Sequence, residues 1–211
     1  MPGKPANTER DSMIKRITVD LHTVENLLFF WNMIAEREKV SEIFILSVAE
    51  LPQFQAIYDE EFDNISVRKV LSALSNREVF RGDNRRESRF WVDNLWMLED
   101  LEYTMRMVTP LKQLHLEDLV EPLNRLVPQD RYEELKVVFV PFPRRTSVIR
   151  GNGLYINFFR TLPRKGKGEG GRIDGHPMKS FIEEQLAELL RKAGQEGYRS
   201  VQDSTLRNVF Y

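Results

Sequence analysis

The chain has 211 residues, 41% hydrophobic and 30% charged, a balance that suits a folded domain with a sizeable core and argues against long disorder. Its 31 basic and 32 acidic side chains leave a net charge of -1, which disfavours a general electrostatic hold on nucleic acid or acidic membrane. The absence of cysteine excludes disulfides, thiolate zinc sites, iron–sulfur clusters and cysteine nucleophiles.

In chain order, residues 1–12 (MPGKPANTERDS) read as a flexible polar tail without the apolar stretch of a signal peptide, and residues 13–211 as one domain. Ile14 to Leu21 alternates, with Ile17, Val19 and Leu21 on one face, and is expected to be a short edge strand. Thr23 is placed to cap a helix running to about Glu38, with Val24, Leu27, Leu28, Trp31 and Ile34 in one apolar stripe. Ser41 is placed to cap a second helix that stops at Pro52. PQFQAIYDEEF reads as helical, and Ser66 opens a further helix. FRGDNR at 80–85 is a turn. A long helix from about Arg86 to Met107 is closed by Pro110, and another spans Leu116 to Leu126. Pro128 to Glu134 is expected to form a last helical turn.

The strands come late. LKVVFVPFP is β-branched and aromatic, as buried strands are. SVIR and LYINFF flank Gly151-Asn152-Gly153, and Asn152-Gly153 reads as the centre of a hairpin turn, giving a hairpin near 147–159. A glycine-rich loop at about 163–177 reads as mobile, with five of the eleven glycines between Gly166 and Gly175. The amphipathic helix MKSFIEEQLAELLRKAG follows, with Pro177 as its first residue. The pattern predicts an α+β fold, mostly helical: a helical N-terminal half, a small sheet and a C-terminal helix.

Candidate sites are few. The loop before the last helix does not match a phosphate loop, because Gly175 stands four residues before Lys179-Ser180. The histidines His22, His115 and His176 are far apart, so no metal site and no cofactor are expected. His176, with Glu183 and Glu184 nearby in sequence, is the candidate for acid–base chemistry. Arg85, Arg86 and Arg89 form one basic cluster, and Arg144, Arg145, Arg150, Arg160, Arg164, Lys165 and Lys167 another, which is the pattern of an anion or nucleic-acid site. The alternative for these arginines is a solvated face with local ion pairs. The aromatic residues Phe29, Phe30, Trp31, Phe90, Trp91 and Trp96 stand at helical spacing and read as core.

A short strand, a helix, a helical region with Leu51-Pro52-Gln53-Phe54, a long Trp-bearing helix, an acidic helix and then the VVFV and LYIN strands make an order that resembles the front part of zinc-dependent peptidases of the gluzincin type. The resemblance covers about residues 14–160. It implies that LYINFF is the sheet edge beside which substrate lies, and that the next helix carries His-Glu-x-x-His. Here that helix reads Ile182-Glu183-Glu184-Gln185-Leu186, and Ile182 and Leu186 cannot bind zinc. A truncated or degenerate, non-catalytic peptidase-like scaffold acting by binding is therefore the preferred reading. The alternatives are a hydrolase with an atypical site near the glycine-rich loop and a nucleic-acid or phosphate-binding module using the arginines. A cytoplasmic setting is expected and a membrane partner is not; a protein partner or a homo-oligomer is left open.

Overall fold

The computed structural model describes residues 13–127, 131–163 and 171–207, with 195–207 as backbone only. The polar tail 1–12 and the glycine-rich segment 164–170 lie outside the described residues. The architecture is α+β and mostly helical, as the sequence pattern predicts.

Strand β1 (Arg16–Asp20) pairs in parallel with β2 (Glu134–Val140), Ile17 beside Leu135 and Val19 beside Val137. Parallel neighbours need a crossover connection. Here it holds α1 (His22–Ala35), α2 (Glu42–Ala49), α3 (Pro52–Gln55), α4 (Asn64–Asn76), α5 (Arg85–Glu99), α6 (Leu101–Lys112) and α7 (Val120–Leu126). Hairpin strands β3 (Ser147–Arg150) and β4 (Gly153–Asn157) complete a sheet of order β1-β2-β4-β3, with β2 and β4 parallel. A second small sheet contains β5 (Thr161–Leu162), β6 (Arg172–Ile173) and β7 (His176–Pro177), and leads into α8 (Met178–Arg207). Val137, Val138, Phe139 and Val140 are all buried, the continuous apolar run expected of a strand covered on both faces, while Lys136 before them is exposed.

Several boundaries differ from the sequence expectation, each for a local reason. Thr23 does not cap α1. It lies inside the first turn with its hydroxyl buried and unpaired, while Asp20 accepts from the His22 amide at 2.8 Å. Ser41 does cap α2, accepting from the Phe44 amide. Pro52 starts α3, where its missing N–H costs nothing. Only PQFQ is helical there, and the chain then turns through a bridge between Asp59 and Phe62. Asp63 caps α4, and Ser66 sits within that helix, its hydroxyl bonded to the buried Glu87 carboxylate at 2.8 Å. The expected long helix is two. Asp100 leaves helical geometry and caps α6 by accepting from Tyr103. Pro110 does not end α6, which runs on to Lys112; its buried ring lies against Gly171, where a Cβ would come within 3.1 Å of it. No helical turn forms at 131–134; β2 begins at Glu134, and Pro128 to Asp130 lie outside the described residues. Of the aromatic set, Phe30, Trp31 and Phe90 are core, but Phe29 and Trp96 are at least half exposed.

The β3–β4 turn is shifted by one residue. Arg150 pairs with Gly153, so the two central residues are Gly151 and Asn152, and Gly151 carries the positive φ of 55°. Gly153 is needed for space, because a Cβ there would sit 2.8 Å from the Tyr155 ring. Valine at 151 meets a left-handed backbone that β-branched residues resist. Gly151→Val is expected to lower stability by about 1 kcal/mol or more, read as a shifted midpoint in urea; an unchanged midpoint contradicts the turn geometry.

Helix α8 buries Ile182, Leu186, Leu189 and Leu190 against the core. Leu186→Ala should cost about 2–4 kcal/mol as a core truncation, measured by the same denaturation.

Candidate functional site: an arginine-lined cleft along strand β3

The sheet order forces an unusual connection. Strand β4 lies between β2 and β3, so the chain leaving β2 must pass over the carboxyl end of β4 to start β3 on the far edge. Residues 141–146 make that passage, and the last residue of β4, Asn157, holds them. Its carboxamide is buried and fully used: Oδ1 accepts from the amides of Phe142 at 3.3 Å and Phe159 at 3.1 Å, and Nδ2 donates to the carbonyls of Phe142 at 2.6 Å and Arg145 at 2.9 Å. The Asn157 amide also donates to Thr146 O at 2.9 Å. Pro141, Phe142 and Pro143 are buried beneath the loop, and Arg144 adopts a left-handed φ of 77° at its tip.

This passage brings Arg144 and Arg145 to the start of β3, whose other end is Arg150. All three are exposed and line a cleft of about 360 Å³. The floor is apolar, from Ile57, Phe62, Phe142 and Val148. The opposite wall comes from the helical half through Asp59 and Arg86. Arg86 is committed: Nη1 is bonded to Asp59, and Nε lies 2.9 Å from Glu61 Oε2, off the line of its N–H. Burial works against the Asp59 carboxylate, but the Arg86 guanidinium and the Glu61 amide outweigh it and hold its pKa below the usual range. Among the described residues, no carboxylate pairs with Arg144, Arg145 or Arg150. Arg150 Nη1 donates only to the neighbouring Ile149 O, at 3.4 Å.

On the other face of β3 a second hollow of about 540 Å³ is lined by Ser147, Ile149 and α8 residues including Gln185, Glu188 and Lys192. Ser147 Oγ donates to Gln185 Oε1 at 2.9 Å, fixing β3 to the helix. Arg145 and Arg150 border both hollows, so the strand edge runs between two concavities.

The structure therefore joins Arg86 of one basic cluster to Arg144, Arg145 and Arg150 of the other, across 58 to 64 residues of sequence. It separates the rest. Arg160 is a structural residue, donating to Arg144 O at 3.3 Å and lying 3.8 Å from Asp174. Arg89 pairs with Asp93. Arg164, Lys165 and Lys167 lie outside the described residues. His176 and Pro177 form β7 rather than loop or helix, and His176 is exposed. His176, Glu183 and Glu184 share no side-chain hydrogen bond or ion pair, and among the described residues no group of three or more His, Asp or Glu is arranged to hold a metal ion. The edge strands of the sheet are β1, as the sequence pattern predicts, and β3; the LYINFF strand is paired on both sides. Sequence reasoning missed Asn157 altogether; an Asn ending an apolar strand is the one local signal it leaves.

Compared with known protein families, characterised proteins and solved structures, the chain matches none. No helix of the described residues is long and apolar enough to cross a membrane.

Asn157→Ala removes four side-chain bonds at a buried site and leaves their partners without replacement. About 2–4 kcal/mol of stability should be lost, and the freed passage should make the Arg144 and Arg145 bonds early trypsin sites. Cleavage mapped by mass spectrometry at the same rate as wild type would show that Asn157 does not hold the loop.

Proposed function

We propose that this protein is a non-catalytic binding protein, a peptidase-like scaffold that holds an extended acidic polypeptide along the free edge of β3. The observation that carries the reading is the set of three arginines without carboxylate partners among the described residues, placed around one cleft beside a strand whose outer edge has no partner strand there, in a chain whose net charge is -1. Other cations are paired, as with Arg16–Glu134, Lys69–Asp83 and Lys179–Asp118, and those that also lack a carboxylate among the described residues, such as Arg37, Lys39 and Arg81, do not line this cleft.

The backbone supplies the second support. Asn157 N bonds to Thr146 O, so Thr146, Val148 and Arg150 direct their amide and carbonyl groups toward β4. Ser147 and Ile149 direct theirs outward, where an added strand could pair with them. An extended chain there would lay its side chains into the two hollows and its carboxylates against Arg144, Arg145 and Arg150.

The gluzincin resemblance implies binding beside a sheet edge and a zinc-bearing helix. The edge has a counterpart in β3. Ile182 and Leu186, where the histidine pair would stand, are fully buried core residues of α8, which supports a scaffold without the metal chemistry. A hydrolase near the glycine-rich loop is disfavoured because His176 and Glu183–Glu184 do not converge. The narrow cleft with an apolar floor favours a peptide over nucleic acid. The cytoplasmic setting expected from the sequence belongs to this proposal.

The test is fluorescence anisotropy with a labelled Glu-rich peptide of about eight residues and a single-stranded oligonucleotide of similar length. The peptide should bind with an affinity that falls as salt rises, and Arg145→Glu with Arg150→Glu should weaken it at least about tenfold. Tighter binding of the oligonucleotide would replace the peptide reading. Binding of neither would overturn it.

A further inference from the structure

We infer that the ligand carries an acidic–x–apolar–x–acidic pattern in an extended segment, with the three specified side chains all on the Val148 face of β3; this rests on the edge-strand reading above. In a strand, alternate residues share a face, and each step rises about 3.3 Å. Residues i, i+2 and i+4 of an added strand therefore stand on one side of it, with the outer two about 13 Å apart.

The cleft on the Val148 face has a matching order along the strand. Arg144 and Arg145 stand at one end, and Arg150 at the other. Five residue steps separate Arg145 from Arg150, about 17 Å in extended chain. Long arginine side chains reach inward from both ends to carboxylates about 13 Å apart. The lining also holds the apolar side chains of Ile57, Phe62, Phe142 and Val148, while its remaining charges, Asp59 and Arg86, are paired with each other. A central ligand residue that is apolar would cover these side chains and remove them from water. A central charge would be desolvated there without a partner.

The other face is more polar. Besides Arg145 and Arg150, its hollow is lined by Arg131, Ser147, Gln185, Glu188 and Lys192, and Glu188 is engaged by Lys192 at 3.4 Å. The x positions facing it are met by hydroxyl, amide and mainly cationic side chains, which suits polar residues. A second copy of β3 does not fit the pattern, because edge-to-edge pairing would set arginine ends against arginine ends.

The full chain is titrated with three labelled peptides. The first has the core Glu-Ser-Leu-Ser-Glu. The second has the same composition with the apolar residue moved by one, Glu-Leu-Ser-Ser-Glu, which keeps the carboxylate spacing and sends leucine to the opposite face. The third replaces leucine by serine. Each is repeated with the Arg145→Glu, Arg150→Glu variant, whose fold is checked by circular dichroism. The first peptide should bind about tenfold or more tighter than the other two, and the double variant should weaken all three. Equal binding of the three peptides, still lost in the variant, would overturn the pattern while leaving the acidic-peptide reading in place. Equal binding unaffected by the variant, or no binding of any peptide, would overturn both.

Discussion

Strand β4 is inserted between β2 and β3, and the rest of the site depends on that insertion. The chain leaving β2 must cross the end of a strand that comes later in sequence, and a crossing backbone buried beneath its own prolines needs partners for its polar groups. The Asn157 carboxamide supplies them from the strand being crossed. The same side chain thus ends β4, starts the following short 3-10 turn through the Phe159 amide, and fixes the position of Arg144 and Arg145. A cation cluster on a solvent-exposed loop would ordinarily be diffuse. Here its backbone is as constrained as a strand, and only the long side chains are left to adjust.

The opposite wall is built by the crossover. Because β1 and β2 are parallel, the chain must return across the sheet, and the helices placed there bring Ile57, Asp59, Phe62 and Arg86 to face β3. A chain of aromatic contacts holds that wall: Phe62 meets Phe90 at 5.0 Å, Phe54 meets Phe90 at 6.3 Å, and Phe90 meets Phe159 at 5.9 Å just beyond Asn157. Such edge-to-face pairs each add roughly 0.5–1.5 kcal/mol beyond the area they bury. They connect the helical layer directly to the end of β4, so both sides of the cleft are referred to one core. Arg86, paired with Asp59 and near Glu61, belongs to this wall.

A free strand edge is also a route to aggregation, and β3 is managed accordingly. It is short, it ends in Arg150, and Arg145 precedes it, so like charges oppose pairing with another copy. In the proposed reading, the same charge distribution that protects the edge from itself makes it receptive to an acidic chain.

The sequence by itself determined much of the architecture. β-branched and aromatic runs marked β2 and β4, the apolar stripes marked α1 and α8, and the glycine-bearing segment at 151–153 marked the hairpin, because these signals act over a few residues. Where two local signals competed, the tertiary context decided. Asp63 rather than Ser66 caps α4, since Ser66 is drawn to the buried Glu87; Pro110 stays inside α6, packed near Gly171; and the turn centres on Gly151-Asn152, with Gly151 taking the positive φ and Gly153 already paired with Arg150 in the sheet. The arginines were visible as two clusters, but not as one site. Neither composition nor periodicity encodes that β4 inserts between β2 and β3, and only this long-range pairing carries Arg144 and Arg145 past Asn157 to face Arg86 and the apolar floor. Which cations find a carboxylate and which are left open to a ligand is set by distances across the fold, which the order of residues along the chain does not contain.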